Sequence, residues 1–594
     1  MSTNSFGTLN RRRILLFSVT GFTALLIFQL VQMQIIQRIS YEEKSNENSV
    51  KSVYVDAPRG IFFDRNNEVI VSNKPTFSLQ ITPSEFDESL IPLIEGVFDL
   101  DSNYIENIFQ TNRRFPKHLP RKIKRDIDFK SMAWLNENEE KLAGVTYVVD
   151  MQRDYSFGIK GSHIFGYTKE ISSQDWRKKK DVYQIGDYVG HKGIEKTYED
   201  YLRGERGIKY FLVDSRQRRI GSYLDGKNDK DFAKGKDLVL TIDKKTQIVA
   251  EESFIGKKGS LIALEPSTGE ILAFVSAPFY NLEEFAAVTS QDVWNKLQSD
   301  PDKPLFNRAI MSRIPPGSTS KMLPAIIALQ EKIVTQYSTY FCNAGVKFGN
   351  RFFRCHGGKH GNINILKAIE ESCNSYFYRV IFDIGLDRWH DYAIKFGFGV
   401  KTGIDIENEV LGIVPSTDYY NNRFGERGWT KGVMMNLAIG QGEFNVTPIQ
   451  LAQYVSLIAN NGSTFSPHFV RGYVVSDKLV PLEFKKIETG IDKKNLELVK
   501  KGMYNVVWGD DGTAKNVRLK NIEIAGKTGT AQNPHGEDHA LFVGFAPYDN
   551  PKIAVAVMVE NVGFGSTHAA PIVKNVIKAY LEKVEIASQV EVKN

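Results

Sequence analysis

Three short runs of the chain carry side chains that could do chemistry together. In Pro315-Pro-Gly-Ser318-Thr-Ser-Lys321 a hydroxyl stands three residues before an amine. The prolines and glycine mark a turn, so Ser318 falls at an N-cap or in a first helical turn, with Lys321 on the same face. Serine is a poor nucleophile until a base takes its proton, and a lysine can do so when burial and nearby positive charge lower its pKa. Alone this is weak, because S-x-x-K occurs by chance on the order of once or twice in a chain this long. Ser372-Cys-Asn374 follows a helical pattern and places a proton-relaying hydroxyl two residues from an amide. Lys527-Thr528-Gly529-Thr530 follows the strand-like Ile522-Glu-Ile-Ala-Gly526. The glycine lets an extended peptide approach the strand edge, and the cation and hydroxyls suit its terminal carboxylate. A K-T-G triplet has only about a one-in-six chance of appearing anywhere in such a chain.

In this order the three motifs match the signature shared by penicillin-binding proteins and class A β-lactamases. The chain resembles the class B penicillin-binding proteins, most of all those of the cell-elongation machinery. The resemblance runs through Ala57-Pro-Arg-Gly-Ile-Phe-Phe-Asp-Arg65, Gly193-Ile-Glu-Lys-Thr-Tyr-Glu199, Leu202-Arg-Gly204 and Asn307-Arg-Ala309. It continues in Gly440-Gln-Gly442, Thr447-Pro448 and His539-Ala-Leu-Phe-Val-Gly-Phe545, and so covers nearly the whole chain. Two positions depart from the family pattern. Ser320 stands where an aromatic or aliphatic residue is usual, and Pro324 lies inside the expected nucleophile helix, where proline removes a donor and can kink the backbone.

The resemblance implies a peptidoglycan D,D-transpeptidase without an organic cofactor. Lys321 takes the proton of Ser318, which attacks the penultimate carbonyl of a stem peptide ending in D-Ala-D-Ala. Backbone N–H groups of Ser318 and Thr530 hold the oxyanion. Ser372 and Lys527 pass a proton to the departing D-alanine, Asn374 binds the substrate backbone, and Thr528, Gly529 and Thr530 line its path. A neighbouring stem peptide resolves the acyl-enzyme, and β-lactam antibiotics inhibit by mimicry. A D,D-carboxypeptidase, a β-lactamase or a β-lactam sensor would carry the same motifs. The deacylating Glu of an omega loop is not recognisable, and no glycosyltransferase-like region follows the N-terminal segment. A division-specific class B enzyme is the nearest rival.

Cys342, Cys355 and Cys373 are the three cysteines of the chain, and with His360 they read C-x12-C-x4-H-x12-C. Three thiolates and an imidazole suit structural zinc. A Cys342–Cys355 disulfide with Cys373 as a free thiol fits the spacing equally, and His356 competes with His360. The resemblance favours zinc, because some elongation-type relatives bind zinc in this region with a mixed ligand set ending in the cysteine of the S-x-N loop. It favours His360, whose His360-Gly361 pair resembles theirs.

These residues need a frame. The chain has 594 residues, too many for one core, so two or more domains are expected. A net charge of +6, with both signs interspersed, points away from nucleic acid. Arg11-Arg-Arg13 precedes an apolar run from Ile14 to Ile36 that is long enough to span a bilayer and lacks a small-x-small cleavage site. It reads as a single-pass inner-membrane anchor with the arginines kept inside and the rest periplasmic. Strand patterns at 76–82, 209–213, 238–243, 259–265, 270–276, 521–526, 540–545 and 553–559, with helical patterns at 244–254, 366–381 and 447–459, predict an α+β fold. The expected domains are a cytoplasmic tail (1–13), the transmembrane anchor (14–36), an elongated pedestal or dimerisation-type interaction domain (37–243), a serine β-lactamase-like transpeptidase domain with an antiparallel sheet (244–585) and a C-terminal tail (586–594). The pedestal shows no catalytic motif. The resemblance gives it a partner, a polytopic glycan-polymerising glycosyltransferase of the elongation system.

Overall fold

The computed structural model of the chain describes residues 9–37, 50–111, 113, 117, 120–184, 186–213, 219–286 and 289–591. Residues 1–8 of the expected N-terminal tail, 38–49 of the expected pedestal and 592–594 of the expected C-terminal tail lie outside them.

The apolar N-terminal run is helical over Leu9–Val31 and continues as a π-helical turn over Gln32–Ile36. Its apolar stretch, Arg11–Ile36, is long enough to cross a bilayer, and its side chains are exposed. Thr20 and Thr23 donate their hydroxyls to the carbonyls of Leu16 and Val19, so neither asks for an outside partner.

The chain divides into two compact units, residues 1–58 with 204–235 and residues 59–203 with 236–594. The first holds a three-stranded antiparallel sheet. Its central strand Gly207–Val213 pairs with Val50–Val55 and Arg219–Ser222.

The second unit contains two sheets that matter for the site. In the first, Phe62–Phe63, Val69–Ile81, Arg121–Lys124 and Val145–Asp154 join Leu238–Leu240, Val470–Val475 and Lys478–Pro481. Leu79, Ile94 and Ile105 lie in a separate small core at one end of it. Near Phe62, buried charges form a closed knot. Glu195 accepts from Arg59 Nε and Arg153 Nε at 2.6 Å each, and Glu199 accepts from Arg59, Tyr183 and the Gly190 N–H. Burial opposes these charges. Even so, the arginines hold the Glu195 carboxyl below its ordinary range.

The second sheet is antiparallel, in the order Ile271–Ala277, Gly259–Leu264, Ile553–Val559, His539–Ala546, Ala525–Ala531. Gly269 (φ +77°) closes the first hairpin in the expected turn. Every residue of 259–264, 271–277 and 553–559 is buried, as strands covered on both faces must be. Helices Lys244–Glu252, Pro448–Ala459, Lys493–Trp508 and Ala570–Glu591 supply the cover. Thr447 caps the second of these in a reciprocal capping box with Gln450. Helix Met322–Gln330 packs on helices Asn374–Ile384, Leu386–Lys395 and Lys493–Trp508 with Leu323, Ile326 and Ile327 wholly buried, each contributing about 1.5–3 kcal/mol.

Two expected elements lie differently. The strand expected at 521–526 spans Ala525–Ala531, so K-T-G-T sits within it, where its two glycines hide the β pattern. The helix expected over 366–381 is two helices, Ile365–Glu370 and Asn374–Ile384, parted at the S-x-N motif.

Candidate active site

The Pro315-Pro316-Gly317 turn is fixed by contact with the last strand. Gly317 has φ +55°, and a Cβ there would stand 2.5 Å from the Thr530 carbonyl, so only glycine fits. Its N–H donates to the Gly440 carbonyl at 2.8 Å, while Gln441 Nε2 reaches the Thr530 carbonyl at 3.1 Å. The Gly440-Gln-Gly442 loop therefore ties turn and strand together. Gly529 lies in the same contact, its Cβ position 2.6 Å from Thr319 Cγ2.

Gly317–Ser320 forms a 3-10 turn, with Ser318 half-buried in it, before the α-helix proper starts at Met322. This places Pro324 in the first α-helical turn. The helix begins there with Ala325 N–H donating to Lys321 O, and the missing proline donor is no loss. The Ser320 carbonyl that proline leaves free accepts from the Tyr454 hydroxyl at 3.5 Å. Ser320 is buried and turns its hydroxyl onto the Gly317 carbonyl at 2.9 Å, beside Gly440. Both departures from the family pattern thus sit in an unkinked helix start.

Lys321 is wholly buried. Its Nζ donates to the Ser372 carbonyl at 2.6 Å, to Ser372 Oγ at 3.1 Å and to Asn374 Oδ1 at 2.6 Å. All three acceptors are neutral, and burial lowers its pKa to about 8. Lys527 is also wholly buried. Burial and the charge of Lys321 push its pKa well down. S-x-x-K, S-x-N and K-T-G thus converge, Lys321 and Lys527 facing each other electrostatically and Thr528, Gly529 and Thr530 lying along the sheet's outer strand.

The S-x-N loop owes its shape to a helix end. Ser372 N–H donates to Ile369 O at 3.2 Å and Cys373 N–H to Ala368 O at 2.9 Å, closing a Schellman motif after Ile365–Glu370. Ser372 takes the left-handed position (φ +56°) that glycine usually fills, at a cost of about 1 kcal/mol. That strain points its side chain at Lys321.

Cys342, Cys355, His360 and Cys373 form one cluster whose ligand atoms all lie within 4.8 Å of one another. His360 Nδ1 is 3.4 Å from Cys342 Sγ and 3.5 Å from Cys355 Sγ, and Cys355 Sγ is 3.7 Å from Cys373 Sγ. All three cysteines are free, so the Cys342–Cys355 disulfide is not formed. Contact with the Cys373 sulfur holds the Cys355 thiol below its ordinary range, and Cys355 Sγ also accepts the N–H of Asn374 at 3.2 Å. His360 turns its other nitrogen toward Glu371 Oε2 at 3.6 Å, the outer carboxylate that commonly orients a metal-binding imidazole. His356 stands apart from the cluster, facing Phe564 with ring centroids 6.4 Å apart.

Comparison with known proteins agrees with this geometry. Residues 259–578 match the penicillin-binding protein transpeptidase domain, and residues 54–240 match the penicillin-binding protein dimerisation domain. The peptidoglycan D,D-transpeptidase MrdA of Haemophilus influenzae is 31% identical over 96% of this chain and 92% of its own length. Among solved structures, the complex between penicillin-binding protein 2 and MreC from Helicobacter pylori superposes with a TM-score of 0.76 at 31% identity, covering 89% of this chain and 99% of that one. A structure entitled structural coordination of polymerization and crosslinking by a peptidoglycan synthase complex gives a TM-score of 0.71 at 26% identity, covering 97% and 98%. The chain belongs to the penicillin-binding protein transpeptidase family, as a class B member with a pedestal and a transpeptidase domain. Within that class it is of the penicillin-binding protein 2 type, a serine-type D,D-transpeptidase of the elongation machinery.

Sequence reasoning missed four residues near the site. Glu371 and Gln441 fall inside recognised segments, but nothing in their type announces a contact. Thr513, whose hydroxyl is 3.1 Å from that of Thr528, lies in an Asp-Asp-Gly-Thr turn that reads only as a turn. Lys367 reads as one lysine on an amphipathic helix.

Proposed function

We propose that Ser318 is the acylated nucleophile of a peptidoglycan cross-linking reaction. The observation that carries the reading is Lys321, a wholly buried amine held by Ser372 and Asn374 one turn from Ser318, with a pKa lowered toward neutrality. Neutral Lys321 takes the Ser318 proton as Oγ attacks the penultimate carbonyl of a stem peptide ending in D-Ala-D-Ala. The N–H groups of Ser318 and Thr530 hold the oxyanion, consistent with the close approach of Gly317 to Thr530. The C–N bond breaks, and the proton returns through Ser372 and Lys527 to the amine of the departing D-alanine. Asn374 holds the substrate backbone, and Thr528, Gly529 and Thr530 line its carboxylate end. The amine of a neighbouring stem then attacks the ester, forming the cross-link and restoring the Ser318 hydroxyl. A β-lactam acylates Ser318 by ring opening and leaves no departing group to make room for the acceptor.

The cluster of Cys342, Cys355, His360 and Cys373 fits zinc: three sulfurs and one imidazole nitrogen converge, with Glu371 behind the histidine. When bound, the metal ties the 342–360 segment to Cys373, between the two catalytic side chains of the S-x-N loop. The arginines at 11–13 place the N-terminus inside and the catalytic part outside the inner membrane. The proposed division is an anchor at 14–36, a pedestal at 37–243 and a transpeptidase domain at 244–585, flanked by tails at 1–13 and 586–594. The pedestal's proposed partner is a polytopic glycan-polymerising glycosyltransferase, and the likeness to a chain of a peptidoglycan synthase complex supports that choice. Fluorescent penicillin tests the central claim. The parent chain labels covalently, Ser318→Ala does not, and label found on another residue of the variant would sink the assignment.

A further inference from the structure

The two sides of the proposed acylation site come from elements distant in sequence. The S-x-N loop hangs from the end of helix Ile365–Glu370, and Thr528 lies on the outer strand Ala525–Ala531. One lysine bridges the elements behind them. Lys367 Nζ is 3.1 Å from Glu370 Oε1 and 3.3 Å from Glu371 Oε1 on its own side, and 2.6 Å from Asp511 Oδ2 on the other. The Asp511 N–H donates back to Glu370 Oε1 at 3.2 Å. The loop it reaches has no slack. A Cβ on Gly509 would stand 2.4 Å from Glu370 Oε1, and one on Gly512 would stand 2.5 Å from the Val506 carbonyl. Two residues past Asp511, Thr513 Oγ1 meets Thr528 Oγ1 at 3.1 Å. A hydroxyl has one proton and two acceptor positions. If Thr513 donates to Thr528, the Thr528 proton is freed toward the incoming carboxylate.

We propose that Lys367 and Asp511 are positioning residues, a brace that fixes the K-T-G side of the site, through Thr513, against the S-x-N side. Neither touches substrate, and the brace rests on the reading of Ser318, Ser372, Asn374 and Thr528 given above. Its consequence is specific. Thr528 belongs to carboxylate capture rather than to proton transfer, so loosening it weakens the encounter complex and leaves the chemical step alone.

The test is acylation of the full-length enzyme by fluorescent penicillin, resolving the apparent dissociation constant from the limiting acylation rate. Lys367→Met and Asp511→Asn each raise the dissociation constant roughly three- to fivefold, the size of one partly exposed ion pair. The limiting rate stays level. The double variant is no worse than Lys367→Met alone, because that change already removes the Lys367–Asp511 contact. Lys367→Arg retains the parent value. Asp511 is exposed, so its variant folds even where Lys367→Met does not. An unchanged dissociation constant, additive losses, or a smaller labelled fraction at the parent constant would overturn the brace. Labelling that persists in Ser318→Ala would instead overturn the site assignment, and the brace with it.

Discussion

Two of the places where the described residues bury charge do so in opposite ways. In the knot near Phe62, Arg59 and Arg153 meet Glu195 and Glu199, two cations for two anions. Asn73, Tyr183 and Gly190 fill further hydrogen-bonding positions. At the proposed acylation site Lys321 and Lys527 are buried together, and Lys321 bonds neutral oxygens alone among the described residues. Full pairing holds protons where they are. An unpaired buried amine sheds its proton near neutral pH, which is what a base for a serine hydroxyl requires. The first arrangement therefore serves the fold and the second serves chemistry. Four changes test that division.

The largest effect is expected at the site. Lys321→Met removes the proposed base and lowers the acylation rate by about a hundred- to ten-thousandfold. Its cost to folding is small, because the loss of donors to Ser372 and Asn374 is offset by no longer burying an amine, leaving stability within about 1–2 kcal/mol of the parent. Penicillin labelling kinetics and thermal unfolding of the same sample check both halves. A variant that unfolds early and still acylates would reverse the assignment of roles.

The converse holds for the knot. Glu195→Gln leaves Arg59 and Arg153 buried with one fewer anion between them, at a cost of about 3–5 kcal/mol. The molecules that remain folded acylate at the parent rate, since no reacting group has changed. Titration by denaturant with labelling of the folded fraction separates the two. An unchanged midpoint would show that the knot is not structural.

How legible was this contrast in the sequence? The chemistry was, because three motifs and four metal-type ligands are defined by residue type and short spacing. The structure gathers Lys321, Ser372 and Asn374 as those motifs suggest, and gathers Cys342, Cys355, His360 and Cys373 around one point. The knot was not legible. Arg59 and Glu195 stand 136 residues apart, and although both lie in recognised segments, neither residue type nor spacing announces their contact. The break between the two S-x-N helices was hidden for another reason. A serine occupies the left-handed position that glycine would have signalled. The edge strand was placed too early because Gly526 and Gly529 carry no side chain to show a β alternation. Pro324 kinks the helix only if the helix begins before the 3-10 turn, and it begins after it.

The cysteine cluster lies beside the unpaired lysines, and it sharpens the comparison. Cys373→Ser removes no reacting group, yet Cys373 separates Ser372 from Asn374 and anchors both. Displacement of such groups by about 1 Å costs up to roughly a hundredfold in rate. Acylation should fall within that range, with loss of the zinc proposed for the cluster measured on the same protein by metal analysis. Parent-like acylation in a zinc-free Cys373→Ser protein would detach the cluster from the chemistry.

The smallest change is made with pH alone, and it probes both regions in one molecule. Lys321 has a pKa lowered to about 8, and the proposed base acts in its neutral form. Its neutral fraction is about a tenth at pH 7 and about nine-tenths at pH 9, so the acylation rate rises roughly tenfold across that interval. The knot responds in the opposite range. Burial alone would raise the Glu195 carboxyl, but Arg153 and Arg59 more than offset it and hold it below the ordinary glutamate value of about 4.3. A carboxyl depressed in the folded state stabilises fully above its unfolded pKa, and that contribution is lost progressively as pH falls from there through the lower, folded value. Acylation therefore weakens first, below about pH 8, while the fold holds until the solution is several units more acidic. Between the two lies a window, near pH 5 to 6, in which the enzyme is folded and slow. Circular dichroism and penicillin labelling along one pH series test this. If activity and fold are lost together, then Lys321 and Glu195 are not set apart by their partners, and the two kinds of buried charge are one.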